Sequence, residues 1–297
     1  MKYISVTETA KKWGLSERSV RNYCALGKID GAFLTGKTWN IPEDAQKPDR
    51  ANKKAALPAT LFEVLSAERR AKLSGGVYHK VQIELTYNSN HIEGSRLTHE
   101  QTRYIFETNT IGLDGGSVKI DDIVETANHF QCIDRIIENA KKPITEAFIK
   151  ELHRTLKGGT TDARQDWFAV GDYKRLPNTV GNMFTAQPEE VAPKMKELLL
   201  EYNAKKEKTF DDLLDFHYKF ECIHPFQDGN GRIGRLLLFK KCLKYNIVPF
   251  IIDEELKLFY YRGLKEWSRE RGYLRDTCLA AQDKFKLYLD YFKVPYR

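Results

Sequence analysis

The chain has 297 residues, of which 41% are hydrophobic and 30% charged, and a net charge of +7. These are globular proportions that exclude a disordered chain, and no apolar run approaches the roughly 18 to 20 residues of a membrane span. The length exceeds the roughly 100 to 150 residues commonest for one domain, so a large domain with a small companion is expected. Five cysteines (Cys24, Cys132, Cys222, Cys242 and Cys278) are odd in number and contain no C-x-x-C pair, so they read as buried thiols rather than as a disulfide framework or zinc site. The first residues show neither an apolar stretch nor a small-residue cleavage site, so a cytoplasmic location is expected.

In chain order, Val6, Ala10 and Trp13 fall at helical spacing. Gly14 then turns the chain, and Ser16 can cap a second helix to about Leu26. Short runs at 33–34 and 38–41, split by Gly36-Lys37, predict a hairpin or wing. Residues 1–54 hold 11 Lys/Arg against 6 Asp/Glu, which marks this segment for an acidic partner. It resembles the winged helix-turn-helix of excisionase and MerR-like DNA-binding modules. That resemblance implies a DNA-binding domain over 1–47, with Arg18, Ser19, Arg21 and Asn22 facing the major groove and Lys37 near phosphate. A small helical docking module with solvated charges is the alternative.

Residues 48–58 read as a linker, being rich in Pro, Lys, Asp and Ala without apolar periodicity. The remainder, 59–297, is helical almost throughout. Apolar residues recur at i, i+3, i+4 spacing over 61–73, 77–88, 120–139, 145–156, 188–202, 210–223, 232–245, 254–269 and 274–292. The exception is 172–186, where Gly, Pro, Asn and Thr alternate with Tyr173, Val180, Met183 and Phe184 and suggest a hairpin. The fold class expected is therefore mainly α, a helical bundle interrupted by a β-hairpin.

Between two of these helices lies Asp228-Gly229-Asn230-Gly231-Arg232. Its glycines free the backbone to turn several N–H groups toward one point, a nest for an anion. The helix beginning near Gly231 adds the positive end of its dipole, and Arg232 and Arg235 share a face of its first turn. A polyphosphate suits this charge and geometry. Asp228 offers a carboxylate for a Mg²⁺ ion shared with phosphate oxygens. Four residues earlier, His224 has the ordinary pKa of a general base for a hydroxyl.

The run His224-Pro225-Phe226-Gln227-Asp228-Gly229-Asn230-Gly231-Arg232-Ile233-Gly234-Arg235 resembles, without departure, the signature of the Fic domain family. The resemblance implies a Fic-type helical bundle with a β-hairpin flap and, usually, transfer of AMP from ATP to a Ser, Thr or Tyr hydroxyl of a target protein or of the chain itself. His224 would be the base, Asp228 the Mg²⁺ ligand, Asn230 and the nest amides the α-phosphate ligands, and Arg232 and Arg235 the distal phosphate ligands. Phe226 would anchor the core. Ile233 and Gly234 complete the nucleotide-binding run.

Val180-Gly181-Asn182-Met183 resembles the family's flap, which clamps a target peptide by strand addition while lining the nucleotide pocket. Tyr260-Tyr261 resembles a tyrosine pair that contacts adenosine, although the Asn found seven residues later in some members is Ser268 here. Ser89-Asn90-His91-Ile92-Glu93-Gly94 resembles the family's inhibitory motif. It implies that Glu93 competes with the nucleotide's terminal phosphate for Arg235. Some members carrying that motif also remove AMP. Other readings stay open: a different nucleotide, or a DNA-binding regulator whose larger domain senses nucleotide. A homodimer is also left open.

Overall fold

The computed structural model describes residues 2–36, 38–48, 60–113, 116–180 and 183–296, apart from the side chain of Met183. The chain forms two compact units, Met1–Leu57 and Pro58–Arg297. Lys37, Gly181, Asn182 and nearly all of the expected linker lie outside the described residues.

In the first unit, β1 (Tyr3–Ile4) leads into α1 (Val6–Trp13) and α2 (Glu17–Ala25), followed by β2 (Phe33–Thr35) and β3 (Thr38–Pro42). Ser5 starts α1 with a capping box through Glu8, and Gly14 ends it at φ 63°, a left-handed conformation that glycine adopts freely. Ser16 caps α2. The sheet runs β1-β3-β2, all antiparallel, so the wing gains a strand at 3–4 that the periodicity does not reveal. Val6, Ala10, Val20, Cys24, Ile29 and Ile41 form its own small core. Arg18, Arg21 and Asn22 lie on α2, with both arginines exposed and Asn22 at its solvent-facing side. Ser19 is turned inward to the cap, its hydroxyl 2.9 Å from that of Ser16.

The second unit holds ten helices among the described residues: α3 (Leu61–Ala71), α4 (Val77–Ile92), α5 (His99–Thr108), α6 (Ile120–Glu138), α7 (Glu146–Lys157), α8 (Pro188–Ala204), α9 (Phe210–Ile223), α10 (Asn230–Tyr245), α11 (Glu254–Glu266) and α12 (Gly272–Tyr291). Helix α4 runs past the expected end, to the threshold of Glu93. Helix α5 has no counterpart among the expected spans, although Thr98 and Gln101 form its capping box. The expected hairpin shrinks to β4 (Thr179–Val180) paired antiparallel with β5 (Met183–Phe184). The chain before it is irregular and serves as an anchor.

Helix α10 is the axis of the bundle. Ile233, Leu236, Leu237 and Leu243 lie on different sides of it and all are buried in the main core with residues of α4, α6, α7, α8 and α9. An α-helix enclosed all round has no solvent face for its charges, so each needs a partner. Lys240 donates to the carbonyls that follow α6, 3.1 Å to Ala140 and 2.8 Å to Lys142. Lys241 lies over the Phe216 ring, 2.6 Å from its centroid, and burial pushes its pKa well down. Four cysteines are buried as expected; Cys222, on the outer side of α9, is exposed instead.

Candidate active site

Helix α9 ends at His224, which takes a left-handed conformation, φ 51° and ψ 63°, unusual for a side chain with a Cβ. Strain of this kind persists only where surroundings fix it, and here they do. Phe226 is wholly buried and stacked on the His153 ring at 4.0 Å and 1°. The Asn230 amide closes the loop at both ends, accepting from the Phe226 N–H and donating to the Phe226 carbonyl, each at 2.8 Å. One donor and one acceptor of the Asn230 amide thus shape the loop.

His153 is a second brace. Its Nδ1 accepts from the Gly171 N–H at 2.9 Å, so its proton sits on Nε2 and faces the Asp228 carbonyl at 3.2 Å. Burial pushes its pKa down to about 3, which keeps the ring neutral. The segment before the flap is bolted to the same loop. Lys174 N–H donates to the Pro225 carbonyl at 2.9 Å, and Asn178 Nδ2 donates to the Phe226 carbonyl at 2.9 Å. The Lys174 amine bridges Asn178 at 2.6 Å and Thr185 at 2.7 Å, which ties both ends of the flap together.

At its start α10 has Gly229 in the left-handed conformation, φ 83°, and no side chain caps its first turn. The amides of that turn are therefore open to an anion, with the helix dipole behind them. Arg232 and Arg235 are both buried there. Arg232 pairs with Glu125 of α6 and, at 3.1 Å, with Asp228. Lys157, at the end of α7, contacts Glu125 and reaches Asp228 at 2.7 Å and Asp162 at 3.2 Å. Burial would raise the Asp228 pKa, but Arg232 and Lys157 outweigh it and hold the carboxyl far below its usual range. Asp228 is half exposed, so it can still share its charge with a divalent ion.

Arg235 reaches the end of α4. Its guanidinium donates to Ser89 Oγ at 3.0 Å, to the Ser89 carbonyl at 2.9 Å and to Glu93 Oε1 at 2.7 Å. Glu93 Oε1 also lies against Gly231, where a Cβ would overlap it. The carboxylate thus sits on the open first turn of α10 and on its buried arginine, a place suited to a phosphate oxygen.

His224 is mostly enclosed. Burial pushes its pKa down to about 4, and the nearby Lys174 amine adds to the shift. A neutral imidazole at pH 7 is ready to accept a proton. The activity per free enzyme is therefore expected to stay within about 1.5-fold between pH 7.5 and 5.5, where an ordinary histidine would lose about tenfold. A kcat/KM profile checks this; a break near pH 6.5 would show His224 solvated.

The tyrosines separate. Tyr260 is buried, its hydroxyl 2.5 Å from His217 Nε2, so it is a core residue rather than the adenosine contact expected. Tyr261 is partly exposed and within electrostatic reach of Glu93 and Arg235; burial, then Glu93, pushes its pKa up to about 12. Ile233 is wholly buried, and Gly234 faces α9 rather than the open turn. Val180 is half-buried in β4. Glu125, Lys157, His153, Lys174 and Asn178 escape a sequence reading. Their positions depend on how α6, α7, α10 and the segment before the hairpin meet, which no local pattern records.

The bundle and this loop define a class before any relative is considered: a helical protein with a polyphosphate-type nest beside a buried, neutral histidine. Residues 143–240 match the Fic/DOC family, so the chain carries a Fic/DOC family domain. Over 80% of its length it is 34% identical to the protein adenylyltransferase Fic of Drosophila willistoni, and over 83% it is 28% identical to that of Aedes aegypti. It spans 46% and 48% of those proteins, about half the length of the curated relatives it matches. A Fic domain containing signaling protein from Bacteroides thetaiotaomicron VPI-5482 superposes with TM-score 0.58 at 28% identity, covering 77% of this chain and 90% of that one. C. elegans Fic-1 shares the fold at TM-score 0.58 and 23% identity over 77% of this chain and 66% of its own.

Proposed function

We propose that the chain transfers AMP from ATP to a Ser, Thr or Tyr hydroxyl of a protein, and that Glu93 holds the site in check. The observation that carries this is the convergence at the start of α10. An uncapped helix N-terminus, two buried arginines and a neutral buried histidine share one loop. The names of the Drosophila and Aedes relatives support the same reaction. The Nε2 of His224 takes the hydroxyl proton, the hydroxyl oxygen attacks the α-phosphorus, and the bond to pyrophosphate breaks. Positioning and fixed charge supply most of the rate in such a displacement.

The open amides of α10 would hold the α-phosphate, with Arg232 and Arg235 on the distal phosphates. Asp228 would hold Mg²⁺, which would neutralise phosphate charge when bound; a half-exposed carboxylate beside a phosphate nest fits that ion. Tyr261 is the remaining candidate for the nucleoside. The flap would receive the target as an added strand, a role favoured by Phe184, which is 88% exposed on β5. Incubating the protein with ATP and Mg²⁺ and weighing target and enzyme tests the reaction. A gain of AMP mass is expected; a gain of phosphate alone would reject it.

The Glu93 position supports the brake directly. A carboxylate on Arg235 and against Gly231 excludes a phosphate oxygen from the same donors. In the released state Glu93 could orient a water to remove AMP by hydrolysis, a second activity of the same site.

For the first unit we propose DNA binding through α2, supported by Arg18, Arg21 and Asn22 on its outer side and by the adjacent β2-β3 wing. Affinity for duplex DNA should fall steeply with salt, and full retention between about 50 and 200 mM salt, or no binding at all, would remove this reading.

A further inference from the structure

Behind His224, three buried polar atoms face one another without a hydrogen bond among the described residues: His224 Nδ1, His217 Nδ1 and Glu221 Oε1. His217 and Glu221 share one stripe of α9, and His224 follows at i+7 as the residue that ends the helix. Glu221 lies between the rings, with Oε2 at 3.8 Å from His224 Nδ1 and Oε1 at 3.8 Å from His217 Nδ1. The far side of His217 meets the Tyr260 hydroxyl at 2.5 Å. A continuous polar file therefore runs Tyr260, His217, Glu221, His224.

Space for the file is built in. A Cβ at Gly234 would overlap Glu221 Oε1 and would stand 2.8 Å from His217 Cε1, so the bare backbone of α10 is what lets α9 carry both polar groups. Leaving a carboxyl buried with long contacts costs stability, and such clusters are kept where they serve a function. Catalytic hydrogen bonds are often long in an unliganded site and tighten in the reacting complex. The 3.8 Å spacings are too short to admit a bridging water and close enough to contract.

We propose that Glu221 is a positioning residue for His224: its carboxyl orients the ring and fixes the proton on Nδ1, leaving Nε2 free for the target hydroxyl. The inference rests on the adenylyl transfer reading for its chemistry, but not for its geometry. As Nε2 gains the hydroxyl proton the ring becomes cationic, and a carboxyl beside Nδ1 stabilises that charge. Burial pushes the Glu221 pKa up to about 8, with Arg235 opposing and Glu93 adding. The other titratable neighbours are Tyr260 and Tyr261 of α11 and Cys222 beside it. The carboxyl thus holds a proton at pH 7 and meets the Nδ1–H with its unprotonated oxygen. The Glu221 main-chain carbonyl also faces the ring, so a side-chain substitution isolates the carboxyl's part.

Two measurements test this. Nitrogen NMR of His224 in the unaltered full chain is expected to show Nδ1 protonated and Nε2 bare at pH 7; the opposite tautomer would overturn the proposal without any variant. Glu221→Leu, which removes the acceptor oxygen, made in the Glu93→Gly chain, is expected to lower kcat about 10- to 100-fold while KM for ATP stays within about twofold. Its His224 nitrogen shifts should move while those of His129 and His153 do not. Glu221→Asp should recover part of kcat, and if the Leu variant fails to fold, Asp against wild type gives the same reading on a smaller scale. Unchanged kcat together with unchanged His224 shifts would reject the positioning role. No AMP transfer by any variant, with the His224 shifts still sensitive to Glu221, would reject the reaction and leave the positioning intact.

Discussion

Glu93→Gly is expected to raise AMP transfer by about 10- to 100-fold, the equivalent of removing one buried charge-assisted hydrogen bond of about 1.5 to 3 kcal/mol. The gain comes from Arg235, which Glu93 occupies at 2.7 Å with two further bonds to Ser89 behind it. Ser89 keeps the guanidinium aimed after the carboxylate is gone, so the arginine is released toward the nucleotide rather than lost from the site. Adding His224→Ala should return labelling to background, since the proton acceptor is then absent. Radiolabelled ATP and gel autoradiography give both numbers in one experiment. Equal labelling by wild type and Glu93→Gly would remove the brake, and strong labelling in the double variant would remove the base.

Acid should unfold the larger unit unusually early. Burial lowers the pKa of His129 and His153 to about 3 and of His224 to about 4, and pushes His217 well down. Each folded value lies below the unfolded one near 6.5, so the unfolded chain takes the proton first as pH falls, and stability present above pH 6.5 is lost below it. Glu221 acts in the opposite sense, since its folded value near 8 exceeds the ordinary 4.5 and the folded chain already carries that proton. Four protons against one leave a difference of three near pH 5. At about 1.4 kcal/mol per proton and pH unit, the slope is about 4 kcal/mol per unit, against a total stability of about 5 to 15 kcal/mol. Urea midpoints at pH 7.5, 6 and 5 check the slope. A midpoint that stays level across that range would show these histidines hydrated in solution, and His129→Gln should flatten the curve by one proton.

The helices are legible in the sequence because amphipathic periodicity is a local property, and the spans expected over 61–292 end within a few residues of the helices observed. Helix α5 escapes that reading because its apolar stripe is short, although its capping box is written in the sequence. The loop from His224 to Arg235 is legible for another reason: glycines, a carboxylate and arginines at fixed spacing carry their chemistry in order. Glu125 and Lys157 are not, because a salt bridge among three helices leaves no trace in any one of them. Tyr260 shows the limit of a motif most plainly, since the pair Tyr260-Tyr261 reads as one feature yet straddles the boundary between core and cleft. Asn230 spends one donor and one acceptor of its amide on Phe226, a bracing role that only the turn geometry reveals.

For the proposed docking of a target strand, the anchoring of the hairpin has a consequence. Lys174, Asn178 and Thr185 fasten the base of the hairpin to the loop that carries His224, while the β4 and β5 strands themselves are only two residues long. An extended segment laid along β5 would be measured out by the strand's own rise of about 3.3 Å per residue. Such a ruler would select a hydroxyl by its distance along the segment and would be indifferent to most of the letters on either side. Target recognition would then come from a second contact elsewhere, leaving the catalytic unit free to be paired with different guiding domains.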